Sequence, residues 1–304
     1  MENALQNLSN ELAGIVRGAE TQVVSVRARR HYPASGVRWS RNVIVTCDHT
    51  IQNEDEIGVT LSDGKSVAAK LVGRDRGTDL AVLKLESPGA VGEPIGRAAD
   101  VKTGELALVV GRSPDSGANA SLGIVSAVSD TWRTWRGGQL SAYVRLDAKL
   151  FPQSSGGAVV NMRGELIGIA TPALSRIAGI AIPAATVQTV TEKLLQRGFV
   201  PRGFLGIGAQ PVLLSEELRK KLSIPNRAGL IVLAVEPGGS AEKAGVLMGD
   251  VLTSIADKTI DDSDDLQTYL DSGLIGKPVE IGFIRGGALG HAEVTVGERP
   301  SKRG

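Results

Sequence analysis

The hydrophobic positions of this chain fall mainly into short runs of Val, Ile, Leu and Ala, separated by turns rich in Gly, Asp and Pro. Such runs of about four to eight residues predict β-strands. The predicted strands form two groups: 21–28, 42–46, 56–61, 67–72 and 80–85, then 106–110, 122–128, 142–146, 158–161, 166–171 and 177–182. Two groups of about six strands predict a mostly β fold with two packed antiparallel barrels and a cleft between them.

Three segments follow a helical pattern instead. Near the start of the chain, apolar residues recur every three or four positions, at Leu5, Leu8, Leu12, Ile15 and Val16. This spacing predicts an amphipathic helix within residues 1–20. Residues 183–198 predict a second helix, ended by Gly198 as its C-terminal cap. Residues 263–270 predict a third helix, with Ser263 as its N-terminal cap.

Composition limits the function classes. With 304 residues, of which 42% are hydrophobic and 22% charged, the chain is typical of a globular protein with room for two domains. The net charge of +1 gives no electrostatic basis for binding nucleic acid or an anionic membrane. The single cysteine, Cys47, excludes an internal disulfide and a cysteine-type zinc site, and we expect a buried, inert thiol. We therefore expect neither a metal nor a cofactor.

The start of the chain bears on the compartment. Residues 1–17 carry Glu2 where a signal peptide has positive charge, and they lack its unbroken apolar core. No apolar run approaches the roughly 18 residues of a membrane helix, so no membrane span is predicted. We expect a cytoplasmic protein if Met1 is the natural start, and a periplasmic or other extracytoplasmic protein if a leader has been removed.

A serine on a glycine-rich turn is the candidate nucleophile. Ser155 is followed by Gly156, Gly157 and a predicted strand, although an ordinary turn is the commoner reason for such a motif. A base and a carboxylate strengthen the assignment, because His49 ends one predicted strand and Asp79 opens another. Their order along the chain, His–Asp–Ser, is that of the chymotrypsin-type enzymes.

The other two histidines do not fit this role. His31 lies too far upstream to serve as the base of the triad. His291 falls in the last predicted hairpin, where we expect a surface residue.

Longer stretches around these residues resemble the HtrA (Deg) family, in which a trypsin-like serine protease domain is followed by a PDZ domain. The similar stretches are IVTCDH at 44–49, TDLAVL at 78–83, LGIVSA at 122–127, GELIGI at 164–169 and GIAIP at 179–183. The resemblance implies a chymotrypsin-like double β-barrel over residues 21–200. It also implies that Ser155 attacks the scissile carbonyl, His49 transfers the proton and Asp79 orients the imidazole.

The resemblance further implies a specificity pocket. Ile169, Ala170 and Ile180 hold the positions that line it in the family. None of the three is acidic, so we expect cleavage after small or medium aliphatic residues.

The chain departs from the family beside the nucleophile. Residues 151–157 read FPQSSGG, where the family usually carries NPGNSGG. Gln153 therefore replaces the glycine whose N–H, with that of Ser155, forms the oxyanion hole, and Ser154 replaces the asparagine. A positive φ at glutamine would cost about 1–2 kcal/mol, or the peptide could flip its carbonyl into the hole. Losing one donor of the hole typically lowers turnover by roughly a hundred- to a thousand-fold.

Residues 203–297 resemble a PDZ domain, which implies an α+β fold for this part of the chain. The stretch GFLGI at 203–207 is similar to the family's carboxylate-binding loop and the strand beside its peptide groove. Two further stretches, 236–245 and 249–252, match the same domain. The resemblance implies that the C-terminus of a peptide binds at Phe204, Leu205, Gly206 and Ile207.

A loop with two Trp-Arg pairs allows three interpretations. It covers 130–138 and contains Trp132, Arg133, Trp135 and Arg136. In the family this position belongs to a loop that senses the PDZ domain or a neighbouring subunit. The tryptophans could instead cover apolar surface, or stack on nucleic acid, which the near-neutral charge disfavours.

The sequence thus predicts an ATP-independent serine endopeptidase of protein quality control. Its expected substrates are unfolded or misfolded proteins, with C-terminal peptides bound at the PDZ groove and no nucleic acid partner. The family implies a homotrimer. The alternative is a catalytically impaired protease fold that acts as a PDZ scaffold or chaperone, which the residues at 153 and 154 suggest.

Overall fold

The computed structural model describes residues 3–30, 32–87, 95–270 and 273–299, so His31 lies outside the described residues. The chain divides into two compact units, Met1–Val200 and Pro201–Gly304. No helix in the described ranges is both long and apolar enough to cross a membrane.

The first barrel is closed, with its strands in the order β1-β2-β3-β6-β5-β4. Its strands are β1 Val23–Arg27, β2 Ala34–Ser40, β3 Val43–Cys47, β4 Ile57–Thr60, β5 Ser66–Asp75 and β6 Leu80–Leu85. Five of them were predicted, whereas β2 was not. Its Ser35 and Arg38 are nevertheless buried, because this strand carries polar contacts inside the unit.

The second barrel is also closed and antiparallel, in the order β11-β14-β13-β12-β7-β8. Its strands are β7 Leu106–Ser113, β8 Gly117–Ser129, β11 Tyr143–Asp147, β12 Ala158–Val160, β13 Leu166–Thr171 and β14 Gly179–Pro183. Between β8 and β11, the short strands β9 Trp132–Arg133 and β10 Gln139–Leu140 form a two-stranded sheet. The prediction of two six-stranded barrels is confirmed.

Side chains alternate between the two faces of each strand. Each barrel therefore has its own apolar interior, and a third apolar layer is shared by the two barrels. On β3, Ile44 faces the interior of the first barrel, whereas Val45 and Cys47 pack in the shared layer with Leu108 and Ile169 of the second. These side chains are almost fully excluded from solvent. Burial of this kind stabilises by roughly 1.5–3 kcal/mol for each large aliphatic side chain. The shared layer fixes the two barrels against each other and therefore the loops at their ends.

Two helices flank the barrels. Helix α1, Ala4–Glu20, begins where the side chain of Asn3 accepts from the N–H of Leu5, and its last turns pack against the barrels. Helix α2, Ala184–Arg197, ends at Gly198, whose φ of 78° is the predicted left-handed cap. A Cβ on Gly73 of β5 would overlap the carbonyl of Gly198, so glycine at 73 lets the end of this helix approach the barrel.

The second unit is built on a sheet in the order β16-β17-β18-β20-β21, with β19 paired to β18. Its elements are β15 Gly203–Phe204, β16 Ile207–Leu213, α3 Glu216–Leu222, β17 Ala228–Val235, α4 Ser240–Lys243, β18 Val251–Ile255, β19 Lys258–Thr259, α5 Ser263–Leu270, β20 Pro278–Arg285, β21 Ala288–Thr295 and β22 Gly297–Glu298. Strand β16 is an edge of this sheet, while β15 pairs with β22.

The start of α5 differs from the prediction. Ser263 is the first residue of the helix rather than its cap. The carboxylate of Asp262 instead accepts from the N–H groups of Asp264 and Asp265, at 2.8 and 2.9 Å. A carboxylate satisfies these free donors and favours the positive end of the helix dipole, so the cap moves one residue upstream.

Candidate active site

His49 lies in a short turn that directly follows β3. All five residues of β3 are buried, and the 3₁₀ turn Asp48–Thr50 follows directly. The buried carboxylate of Asp48 holds this turn through Arg74, whose guanidinium also donates to the carbonyls of Asp48 and Ile51 and to Glu54. These contacts fix the backbone at His49. The imidazole is 22% exposed and can therefore be reached from solvent.

Asp79 lies beside His49 because β3 and β6 are neighbours in register. Cys47 pairs with Leu80, so Asp48 and Asp79 meet just beyond the paired strands, and His49 follows one residue later. Nδ1 of His49 is 2.8 Å from one carboxylate oxygen of Asp79 and 3.1 Å from the other. The N–H of His49 and the hydroxyl of Thr171 also donate to this carboxylate, at 2.9 and 2.5 Å. The fully buried carboxylate is thus satisfied on both oxygens and fixes the ring.

The backbone of Asp79 is unusual. Its φ of 58° lies in the left-handed region, which costs most L-residues on the order of 1 kcal/mol but which Asp tolerates better. The N–H of Asp48 donates to its carbonyl at 3.0 Å. The preceding turn is closed by Asp75, which accepts from the N–H of Thr78 and from its hydroxyl. Neighbouring contacts therefore hold a strained residue in the position that the pair requires.

Ser155 is carried to the same region by two glycines that pack backbone against backbone. A Cβ on Gly156, whose φ is 83°, would overlap the carbonyl oxygen of Ser35 and crowd Thr46. The N–H of Gly156 donates to the carbonyl of Ala170 at 2.8 Å, and Sγ of Cys47 donates to the same oxygen at 3.4 Å. The carbonyl of Ser155 accepts from the N–H of Ser35.

These contacts tie the serine loop to the strand that ends at His49. The structure joins His49 directly to Asp79, and it joins the residue after Ser155 to Ala170, which Cys47 also contacts. Within the described ranges, no hydrogen bond is recorded between Ser155 and His49. Such catalytic hydrogen bonds are often long before substrate binds. The role of Ser155 as the third member of the triad therefore stays a prediction.

Cys47 lies beneath the pair as a neutral thiol. Its Sγ, a nitrogen of His49 and a carboxylate oxygen of Asp79 lie within 4.8 Å of one another, which are ligand types that a transition metal could use. However, burial raises the pKa of the Cys47 thiol well above its usual range, and a thiol must ionise to bind metal well. Nδ1 of His49 is already engaged by Asp79. The donor set therefore suits proton transfer better than metal binding.

The candidate oxyanion loop forms a single 3₁₀ turn, Pro152–Ser154. The N–H of Ser154 donates to the carbonyl of Phe151 at 2.8 Å. The first barrel holds two carbonyls of this turn, because Arg29 donates to that of Pro152 at 3.1 Å and Ser35 to that of Gln153 at 2.5 Å. Since the N–H of a trans peptide points opposite to its carbonyl, Arg29 fixes the direction of the Gln153 N–H.

Gln153 does not adopt the positive φ considered for it above. The positive-φ residues other than glycine in the described ranges are Asp79, Ser223, Ala256 and Asp257. The 3₁₀ turn therefore avoids the strain that glutamine would suffer in the family's glycine conformation. That the N–H groups of Gln153 and Ser155 form the oxyanion hole during catalysis stays a prediction.

We expect the variant Gln153→Gly to raise the basal turnover of a small peptide substrate at least several-fold. Glycine reaches a positive φ at little cost, so the loop can leave the 3₁₀ turn and present a second donor to the oxyanion. Initial rates of wild type and variant, measured at equal protein concentration, test this. Gln153→Ala is the matched control, because it removes the side chain without freeing the backbone. Equal rates for Gln153→Gly and wild type would show that this residue does not limit the hole.

The predicted specificity-pocket residues are all fully buried. Ile169 and Ile180 pack in the layer shared by the two barrels, whereas Ala170 faces the interior of the second barrel. Ala170 reaches the site through its carbonyl, as described above. The specificity pocket therefore stays a prediction.

The second unit contains a groove between its edge strand and α5. The cavity there measures about 110 Å³, and its apolar walls include Leu205, Ile207 and Ala209 on one side and Leu266 and Leu270 on the other. The neighbouring residue Phe204 lies under the guanidinium of Arg299, 5.5 Å from the ring centroid. Apolar walls beside a free strand edge suit an extended peptide.

The loop at the end of this groove has the form of an anion site. Gly206 has a φ of 78°. The carbonyls of Leu205 and Gly206 accept from the N–H groups of Ala241 and Glu236, at 2.8 and 2.7 Å. The following N–H groups, those of Gly206 and Ile207, therefore point the opposite way. Successive N–H groups of this kind are what a carboxylate-binding loop requires.

Several residues of the site could not be identified from the sequence. Four of them make contacts across sequence separations of 23 to 123 residues: Thr171, Ser35, Arg29 and Arg74.

His291 lies on the hairpin β20–β21, with Nδ1 3.2 Å from Glu280, in agreement with a surface role. Trp132 packs edge-on against Tyr143, at 4.9 Å between ring centroids, and so covers apolar surface, whereas Trp135 is 70% exposed.

Comparison with known proteins identifies both domains. Residues 34–169 match the family model of a trypsin-like peptidase domain, and residues 203–296 match that of a PDZ domain. The crystal structure of the serine endoprotease from Yersinia pestis superposes with a TM-score of 0.76 at 30% identity, covering 96% of this chain and 98% of that one. The structure of the HtrA-type protease AlgW with a decapeptide gives a TM-score of 0.77 at 28% identity, covering 95% and 98%.

The chain belongs to the HtrA family. Curated relatives agree: the periplasmic pH-dependent serine endoprotease DegQ of Escherichia coli is 32% identical over 266 residues, 86% of this chain. A probable periplasmic DegP-like serine endoprotease of Halomonas elongata is 32% identical over 265 residues, again 86% of this chain. This HtrA chain spans 58% of the length of the first relative and 55% of the second. It has the trypsin-like double barrel followed by a PDZ domain.

Proposed function

We propose that this HtrA chain is a serine endopeptidase that cleaves unfolded or misfolded proteins without ATP. The observation that carries the proposal is the His49–Asp79 pair, in which a buried carboxylate accepts from the N–H and Nδ1 of the histidine. This arrangement selects the tautomer whose Nε2 is free to take a proton. The domain division that we propose is a helix in residues 1–20, a protease domain in 21–200 and a PDZ domain in 203–297.

Each member of the proposed triad has one role. Ser155 attacks the scissile carbonyl and forms an acyl-enzyme, with release of the amine. His49 takes the proton from the serine hydroxyl and gives it to the leaving amine, and then activates the water that frees the acyl group. Asp79 stabilises the imidazolium that forms in each half of the reaction. The N–H groups of Gln153 and Ser155 are the proposed donors to the oxyanion.

Degradation of casein, an unfolded protein, tests the proposed activity. Wild-type protein without nucleotide is expected to convert casein to peptides, and the activity should persist in the presence of a metal chelator. Failure to cleave casein and small aliphatic peptides, both with and without a peptide bound at the PDZ domain, would contradict the proposal.

A second candidate function has one specific observation in its favour. The 3₁₀ turn beside Ser155, held by Arg29 and Ser35, would suit a protease fold that binds unfolded chains without cleaving them. A PDZ scaffold or chaperone of this kind would suppress the aggregation of a client protein. Its suppression would be the same for wild type and Ser155→Ala, and neither protein would form cleavage products.

The names of the relatives support a proposal for the compartment. DegQ and the DegP-like proteins are described as periplasmic, so we infer an extracytoplasmic compartment for this chain.

We also propose a homotrimer, the assembly implied by the family. Sedimentation equilibrium would give three times the mass of 31.7 kDa for a trimer.

We expect the PDZ domain to bind peptides that end in an apolar residue with a free carboxylate. Affinity should be on the order of micromolar, since one apolar pocket and a few backbone hydrogen bonds offset the ordering of the peptide. Amidation removes the charge that the N–H groups of the loop receive, so it should weaken binding at least about tenfold. Calorimetric titration of the full chain with matched acid and amide peptides measures this difference. Equal affinities would show that the groove does not recognise chain ends.

The same peptide pair tests regulation. If binding at the PDZ domain activates cleavage, the acid peptide should raise the rate of casein degradation while the amide leaves it unchanged at equal concentration.

A further inference from the structure

Arg136 approaches the buried carboxylate of the catalytic pair from a loop of the second barrel. Its Nη1 lies 3.7 Å from Oδ1 of Asp79, the carboxylate that binds His49. The side chain of Arg136 is 26% exposed and that of Asp79 is not exposed at all. The guanidinium also lies over the ring of Trp135, 4.7 Å from its centroid. A cation therefore stands beside the group whose negative charge the proposed mechanism uses.

The loop that carries Arg136 is docked on the turn before Asp79. The hydroxyl of Thr134 donates to the carbonyl of Gly77 at 2.6 Å and accepts from the N–H of Gly138 at 3.1 Å. A Cβ on Gly138 would overlap the backbone of Gly77, so only glycine permits this approach. The position of the guanidinium thus follows from contacts made by its own loop, not from the ion pair alone.

The carboxylate does not need Arg136 to be held in place. It already accepts from the backbone N–H and Nδ1 of His49 and from the hydroxyl of Thr171. These donors occupy both oxygens at 2.5–3.1 Å, whereas the guanidinium stands at 3.7 Å. The contribution of Arg136 is therefore mainly its charge.

The other ionisable groups near the pair in the described ranges have partners of their own; Arg29, whose charge acts on Cys47, donates to the carbonyls of Tyr32 and Pro152. Asp48 is engaged by Arg74, and Asp75 accepts from the turn at Gly77 and Thr78. Cys47 is a protonated thiol, because burial raises its pKa. Within the described ranges, Arg136 is the basic side chain that forms an ion pair with Asp79 in addition to His49.

We propose that Arg136 is a positioning residue that lowers the activity of the triad. Its positive charge offsets the negative charge that Asp79 presents to His49. The proposal rests on the proposed proteolytic function. In the transition state the imidazole becomes an imidazolium, which the carboxylate stabilises. A fixed cation a few ångströms away opposes that stabilisation, and in a site of low dielectric constant the opposition is strong. Arg136 would thus favour neutral His49 and slow the formation of the imidazolium.

The first test compares kcat/KM against pH for wild type, Arg136→Gln and Arg136→Lys. Without the cation, the imidazolium is favoured, so the acidic limb of the profile for Arg136→Gln should move up by about half to one pH unit. On the alkaline plateau, its kcat/KM should rise about three- to tenfold. Arg136→Lys keeps the charge and should lie close to wild type.

Arg133→Gln is the matched control, since it removes the same charge from the same loop. Arg133 donates to the carbonyl of Gly137, and its variant should keep the wild-type limb. An Arg136→Gln profile that falls at every pH without moving its limb would overturn the proposal in favour of a purely structural role. A change confined to KM for acidic substrates would overturn it in favour of substrate contact. An unchanged profile would also overturn it.

The second test does not depend on turnover. In full-length Ser155→Ala, the imidazole resonances can be titrated by ¹H–¹⁵N spectroscopy, and the chain contains only three histidines. Arg136→Gln in this background should raise the titration midpoint of His49 by about half to one pH unit. An unmoved midpoint would contradict the role of Arg136. A raised midpoint in a protein whose Ser155 form cleaves nothing would instead contradict the proposed protease and leave the charge effect established.

Discussion

Replacing Ser155 with alanine is expected to abolish hydrolysis, with a loss on the order of 10⁴-fold or more in kcat. The substitution removes the oxygen that attacks the carbonyl. Cys47 is fully buried and protonated, so its thiol is not available as a nucleophile. Release of labelled peptides from casein, measured for wild type and Ser155→Ala at equal concentration, gives the loss directly.

The adjacent serine provides the matched control. The hydroxyl of Ser154 donates to the side-chain oxygen of Asn119 at 3.4 Å, and the residue is slightly more buried than Ser155. Ser154→Ala should therefore lower turnover by only a few-fold, through small changes in the loop. Equal losses for the two variants, or a larger loss for Ser154→Ala, would refute the assignment of the nucleophile.

Asp79→Asn is expected to lower kcat by about 10³–10⁴-fold, as in other enzymes with this triad. An amide placed at the carboxylate position can donate to Nδ1, which stabilises the wrong tautomer and provides no charge for the imidazolium. Asparagine tolerates the left-handed φ of 58° about as well as aspartate, so the turn should keep its backbone. The loss would therefore report on the charge and the tautomer rather than on strain.

Steady-state kinetics from pH 6 to 9 and a thermal melt check this prediction together. A melting temperature close to wild type, with a large loss in kcat, is the expected pair of results. A loss below about tenfold at neutral pH would contradict the role given to Asp79, whatever the stability.

The sequence predicted most of the architecture because its strands are strongly patterned. β3 and β6 are apolar runs, and their pairing brings His49 and Asp79 together once the barrel closes. The order of the three candidate residues and the resemblance to the HtrA family were therefore enough to locate the pair. Strand β2 was missed because Ser35 and Arg38 are polar, although both are buried in contacts that a local pattern does not show.

The contacts around the candidate site are non-local. The hydroxyl of Thr171, the guanidinium of Arg136 and the contacts of Arg29 to the oxyanion loop all join residues far apart in the chain. Their partners follow from barrel packing and loop docking, and no spacing in the sequence identifies them. From the sequence, two conformations at Gln153 were open: a positive φ, or a peptide flipped with its carbonyl in the hole. The 3₁₀ turn is what the contacts with Ser35 and Arg29 select.

The central claim is that Ser155 is a nucleophile activated by His49. Its most direct measurement is labelling of the full-length protein by a fluorophosphonate probe, followed by mass spectrometry of the tryptic peptides. We expect one labelled residue, Ser155, in the wild type, and loss of the label in His49→Ala. Labelling at Ser154, undiminished labelling of His49→Ala, or no labelling in the presence of a peptide that binds the PDZ domain would contradict it.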